Sequence, residues 1–129
     1  MLLPKVLIVD DDEESRQLLS EVLEANGYGV GAVADGLAAR ETLSRDVEYR
    51  IVIADLHMPN ESGLDLLRNL QKEKSCHDII LMSSFISGNE RQMAEDLGAR
   101  ALLEKPFRLS ELLQVVSQLV EKKPIGLTQ

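Results

Sequence analysis

Residues 51–63 read IVIADLHMPNESG, and the fold follows from this stretch. Ile51, Val52, Ile53 and Ala54 run without a polar break, as a strand buried on both faces of a parallel sheet does. The run stops at Asp55. The Met58-Pro59 step cannot continue a strand, and Gly63 opens the next apolar-periodic segment. A carboxylate at the C-terminal end of a central strand sits where open α/β sheets bind ligands. An isolated Asp in that place would more often cap a turn. Two further features, the acidic run Asp10, Asp11, Asp12 and Lys105, turn the balance toward chemistry.

Outward from this stretch one theme repeats. Residues 5–9 form a short apolar strand that ends in the three aspartates. A helix over 13–26 carries Leu18, Leu19, Val22, Leu23 and Ala25 on one stripe and closes at Gly27. The strand 28–33 (YGVGAV) is diluted by glycine, which suits a sheet edge. Asp35-Gly36 starts a second helix expected to turn Leu37, Ala38 and Leu43 inward. After the central strand (50–54) comes a helix from Gly63, with Leu64, Leu67 and Leu70 at core spacing, and then a strand at 79–82. Ser87-x-x-Glu90 is a capping-box pattern before a helix holding Met93, Ala94 and Leu97. Gly98 ends it. A fifth strand (100–103) precedes a last helix with Leu109, Leu112, Leu113, Val116, Leu119 and Val120 on its apolar stripe.

Five strands alternating with five helices give an α/β class fold, a doubly wound five-stranded parallel sheet. Right-handed crossovers make the flavodoxin-like order 2-1-3-4-5 the natural one. Strands 1 and 3 are then neighbours, and Asp10, Asp11, Asp55, Ser83 and Lys105 all fall on one rim. The expected domain covers 1–121. Residues 122–129 (KKPIGLTQ) lose the periodicity and read as a tail or the start of a linker.

Composition narrows the function. A chain of 129 residues and 14.3 kDa suffices for one domain with a two-sided core. At 44% hydrophobic but 3% aromatic, packing falls to Leu, Val, Ile and Ala. The net charge of −8, from 22 acidic and 14 basic residues, argues against a grip on a phosphate backbone, so no direct nucleic-acid binding is expected. Cys76 is the single cysteine, which rules out an internal disulfide and fits a reducing cytosol. The opening MLLPKVLIVD is broken by Pro4 and Lys5 too early for a signal peptide or membrane span, and a cytoplasmic protein is expected.

Acids packed on one rim raise one another's pKa unless a cation neutralises them. A hard divalent ion with oxygen ligands is the natural partner, and Mg²⁺ would need only two carboxylates and a backbone carbonyl beside its waters. With Asp55 as nucleophile, Lys105 and the Ser83 hydroxyl could neutralise the oxygens of a transferred phosphoryl group. The pieces VLIVDDD (6–12), IVIADLHMPNESG (51–63), ILMSSF (80–85) and EKPF (104–107) are each weak motifs. Together, in this order and spacing, they are specific. From about residue 5 to residue 120 the chain resembles the receiver domains of two-component response regulators.

That resemblance implies roles. Asp55 would be the phosphoacceptor, supplied by a phosphohistidine on a sensor histidine kinase or a histidine phosphotransfer protein. Asp10 and Asp11 would organise Mg²⁺ (or Mn²⁺), Asp11 directly and Asp10 through water, with Asp55 and the backbone carbonyl of His57 completing the metal shell. Ser83 would donate to one phosphoryl oxygen and Lys105 would pair with another, aimed by a cis Lys105–Pro106 bond. Phosphorylation would switch the surface around the fourth helix, fifth strand and fifth helix for a partner or homodimer. Turnover would be limited to self-phosphorylation and self-dephosphorylation. Asp12 reads as the cap of the first helix, not as a ligand.

Two departures stand out. Where the family usually carries an aromatic three residues before the lysine, this chain has Leu102, which leaves the usual read-out absent. Phe85, two positions after Ser83, is expected to crowd the mouth and limit attacking water. Two other functions compete. A haloacid-dehalogenase-type phosphohydrolase would use Asp10-x-Asp12 as nucleophile and acid/base, but it usually needs a further acidic pair after the lysine and a capping element; PFRLSELL follows here instead. A flavin electron carrier would need a hydroxyl-rich phosphate loop where three aspartates stand.

Overall fold

The computed structural model describes residues 3–121. Its elements are β1 (Lys5–Val9), α1 (Glu13–Ala25), β2 (Gly29–Val33), α2 (Gly36–Arg45), β3 (Tyr49–Asp55), α3 (Gly63–Lys72), β4 (Asp78–Ser83), α4 (Gly88–Asp96), β5 (Ala101–Glu104) and α5 (Leu109–Val120). All neighbouring strands are parallel and their order is β2-β1-β3-β4-β5, the flavodoxin-like arrangement. The tail 122–129 lies outside the described residues.

Alternation along the strands divides the core into two layers. Leu7, Val9, Val52, Ala54, Ile79 and Leu81 face α2, α3 and α4, meeting Ala39, Leu43, Leu64, Leu67, Leu70 and Ala94. Their neighbours Val6, Ile8, Ile51, Ile53, Ile80 and Met82 face the other way onto Leu19 and Leu23 of α1 and Leu112, Val116 and Leu119 of α5. Because both faces are covered, the central strands show continuous apolar runs. β3 continues through Asp55, which still pairs with Met82 of β4 before the chain turns away.

Local signals start the helices. Asp12, Asp35, Ser62 and Ser87 each accept a backbone N–H of their helix's first turn, and Ser62 and Ser87 complete capping boxes with Asp65 and Glu90. Two expected stripes are displaced. Leu18 is 50% and Leu37 56% exposed, and Ala38 is only half-buried; the inward faces are Leu19 and Leu23 on α1 and Gly36, Ala39 and Leu43 on α2. On helices this short a stripe centred one residue off fits the apolar pattern almost equally well, and docking on the sheet settles the choice.

At the amino ends of the strands, Lys5 holds Asp46 at 2.7 Å and lies over the Tyr49 ring, 4.6 Å from its centroid. The Tyr49 hydroxyl in turn fills the space above Gly31 of β2, where a Cβ would come within 1.9 Å of it.

Candidate functional site

Pairing of β1 with β3 sets Val9 beside Ala54, so the next residues, Asp10 and Asp55, follow side by side at the carboxyl ends of the two strands. Asp10 is fully buried, Asp55 half-buried and Asp11 exposed, yet carboxylate oxygens of all three lie within 4.8 Å of one another. One Asp10 oxygen accepts the Asp12 N–H at 2.9 Å. The other, Oδ2, is buried without a hydrogen-bond partner. Burial is the main cause that pushes the Asp10 carboxyl above the usual carboxylate range; the charges of Asp55 and Asp11 push the same way, while the Asp12 N–H and Lys105 oppose.

Lys105 arrives from the end of β5, where its N–H donates to the Ser83 carbonyl at 2.7 Å and its bond to Pro106 is cis. Its ammonium lies 3.1 Å from Asp55 Oδ2 and 3.8 Å from Asp10 Oδ2. The other Asp55 oxygen accepts the His57 N–H at 2.9 Å. The chain then turns back through Asn60, at φ 70°, to Gly63, whose N–H bonds the Leu56 carbonyl at 3.0 Å. No side chain fits at Gly63, because a Cβ there would meet the Asp55 carbonyl oxygen at 2.6 Å.

Ser83 is buried at the end of β4. Its hydroxyl lies 2.9 Å from the Phe85 carbonyl, 3.2 Å from the Phe85 N–H and 3.1 Å from His57 Nδ1. The far ring nitrogen of His57 reaches Glu90 Oε2 at 2.7 Å. This imidazole bridge is absent from the sequence reading, which gave His57 a backbone role alone. Ser87-x-x-Glu90 marked one end of it as a cap, but no local pattern links residues 33 apart. Phe85 meets Ser83 through its backbone, and its side chain is 67% exposed. Leu102 is half-buried against the layer of α2, α3 and α4 and borders a small cavity of about 70 Å³ with Arg91 and Ala94. The Asp12 carboxylate is occupied by Ser15, whose N–H and hydroxyl it accepts at 3.2 and 2.9 Å, so it caps α1 and does not turn into the acidic nest.

Residues 6–117 match the response regulator receiver domain. The chain belongs to the response regulator receiver family. Protein PetR of Rhodobacter capsulatus is 38% identical over 125 residues, covering 97% of this chain and 52% of PetR. Response regulator MprA of Mycobacterium leprae is 36% identical over 118 residues, 92% of this chain and 51% of MprA. This receiver therefore spans about half the length of the curated relatives it matches. Among solved structures, a response regulator receiver protein from Pseudomonas putida superposes with a TM-score of 0.87 at 32% identity, covering 92% of this chain and 98% of that one. The chemotaxis protein CheY4 of Vibrio cholerae does so with 0.83 at 28% identity, covering 90% and 98%. The chain is thus a receiver domain of two-component signalling, and no helix among its described residues is long and apolar enough to cross a membrane.

Proposed function

We propose that this receiver is switched by divalent-ion-dependent transfer of a phosphoryl group to Asp55. The observation that carries the reading is the ammonium of Lys105, 3.1 Å from Asp55 Oδ2, opposite a nest in which the carboxylates of Asp10, Asp11 and Asp55 converge. The donor set fits a hard cation: oxygen ligands only, with the buried Asp10 Oδ2, which has no hydrogen-bond partner, among them. Asp10, Asp11, Asp55 and the His57 carbonyl would hold Mg²⁺ or Mn²⁺, which when bound supplies positive charge to the oxygens of the incoming phosphoryl group.

The remaining steps belong to the chain. An Asp55 carboxylate oxygen attacks the phosphorus of a phosphohistidine; the O–P bond forms as the P–N bond breaks, and the donor imidazole takes up a proton. Lys105 shifts from the carboxylate to a phosphoryl oxygen, and the buried Ser83 hydroxyl donates to another. Water returns the acyl phosphate to carboxylate and inorganic phosphate. The phosphodonor is a sensor histidine kinase or a histidine phosphotransfer protein in the cytoplasm. The outcome is a changed surface around α4, β5 and α5 for a partner or a second copy. Incubation with acetyl phosphate and Mg²⁺ tests this: intact mass should rise by one phosphoryl group, mapped to Asp55, and chelator or Asp55→Asn should abolish it. Label on another residue, or uptake that survives Asp55→Asn, refutes the reading.

A further inference from the structure

A polar path leads from this site to the first turn of α4, and it runs through the His57 imidazole. A carboxylate only accepts, so Nε2 donates to Glu90 at 2.7 Å. In the neutral ring Nδ1 is then an acceptor, 3.1 Å from the Ser83 hydroxyl, whose one proton is shared between this nitrogen and the Phe85 carbonyl, to which it donates at 2.9 Å. Glu90 is itself committed. Its second oxygen, Oε1, takes the Ser87 N–H at 3.0 Å, while the Glu90 N–H bonds Ser87 Oγ at 3.1 Å. One carboxylate thus serves the cap of α4 with one oxygen and the phosphoacceptor loop with the other. The side chains of His57 and Glu90 are 50% and 24% exposed, so the two hydrogen bonds rather than packing hold the ring, whereas Ser83 is buried.

We propose that His57 is a positioning residue that transmits the state of Asp55 to α4, by holding Glu90 only while the Ser83 hydroxyl holds His57. This deepens the phosphoacceptor reading and rests on it. A phosphoryl oxygen that recruits the Ser83 hydroxyl draws its proton away from both the Phe85 carbonyl and Nδ1. The imidazole then keeps one anchor of two, and the Glu90 carboxylate loses a fixed partner at the cap.

Glu90→Gln separates the cap from the link. Gln suits a capping box, but its single carbonyl oxygen serves either the Ser87 N–H or His57. Amide exchange at Ser87 and Glu90 is followed by NMR with and without acetyl phosphate and Mg²⁺, alongside intact mass. In the wild-type chain the donor should speed exchange at both amides by about fivefold, the size of a lost cap contact. With Glu90→Gln the mass gain should persist while the donor-dependent ratio falls to about one. In His57→Ala, exchange is read on phosphorylated molecules alone, and the ratio should again be near one. A wild-type-sized response in either variant, or a phosphorylated wild type whose Ser87 and Glu90 amides do not change, overturns the coupling alone. A wild-type chain that gains no phosphoryl mass overturns the phosphoacceptor reading and the coupling with it.

Discussion

Asp10 has the least water around it of the three acids and is the one whose charge the fold opposes. Its carboxyl is raised above the ordinary value of 3.8, chiefly by burial, so the folded state favours the neutral form. The sign follows directly. Below about 3.8 both folded and unfolded chains carry the proton and nothing is lost; as pH rises through the folded value, the unfolded chain ionises first and stability falls. Lys105, 3.8 Å away, recovers part of this. Asp10→Asn removes the titration and leaves an oxygen for the Asp12 N–H. In chelator its denaturant stability should match wild type near pH 3 and exceed it by about 1 kcal/mol at pH 7. A gap that is constant across that range would show that the Asp10 charge is not the cause.

Elements place the residues, and the turn from β3 into α3 closes on Gly63 with no room for a side chain. Gly63 bonds the Leu56 carbonyl while its missing side chain leaves room for the Asp55 carbonyl and the Leu81 side chain. A methyl group there would sit 2.6 Å from backbone and 3.0 Å from a buried leucine, so α3 must move as a body or the strand end must bend. Gly63→Ala is expected to lower stability by about 2 kcal/mol, seen as a fall of several degrees in Tm, and to impair phosphoryl uptake at Asp55. This joint was legible in the sequence, because an apolar run, an acid, a Pro step and a Gly fall in one short stretch. So was the shared rim at the ends of β1 and β5, since strand ends and crossover rules fix which residues lie on it. Leu18 and Leu37 were misplaced because apolar residues adjacent in sequence leave a helix's inward face ambiguous until it docks. The bridge from Ser83 through His57 to Glu90 was illegible for a different reason: it depends on where one ring points, and no periodicity records that.

For the molecule as a whole, a net charge of −8 with a concentrated acidic rim predicts that cations stabilise it in two ways, diffusely and at one place. The two separate by experiment. Mg²⁺ at about ten times its dissociation constant should stabilise the wild-type chain by about 1.4 kcal/mol, a Tm shift of several degrees, beyond the effect of NaCl at equal ionic strength. Asp11 is exposed, so Asp11→Asn should leave the metal-free Tm close to wild type yet remove most of that Mg²⁺-specific shift. Equal responses to the two salts would mean that screening alone is at work. The sheet's other rim answers to different forces: Asp46 clamps Lys5 from outside, the Tyr49 ring supports it from below, and the Tyr49 hydroxyl wedges against Gly31. With its base held in this way, the sheet edge formed by β2, β1 and β3 works like a vise whose jaws open at the acidic end. A rearrangement begun at the acidic lip is therefore expected to travel sideways through the loops and α4 rather than down through the sheet.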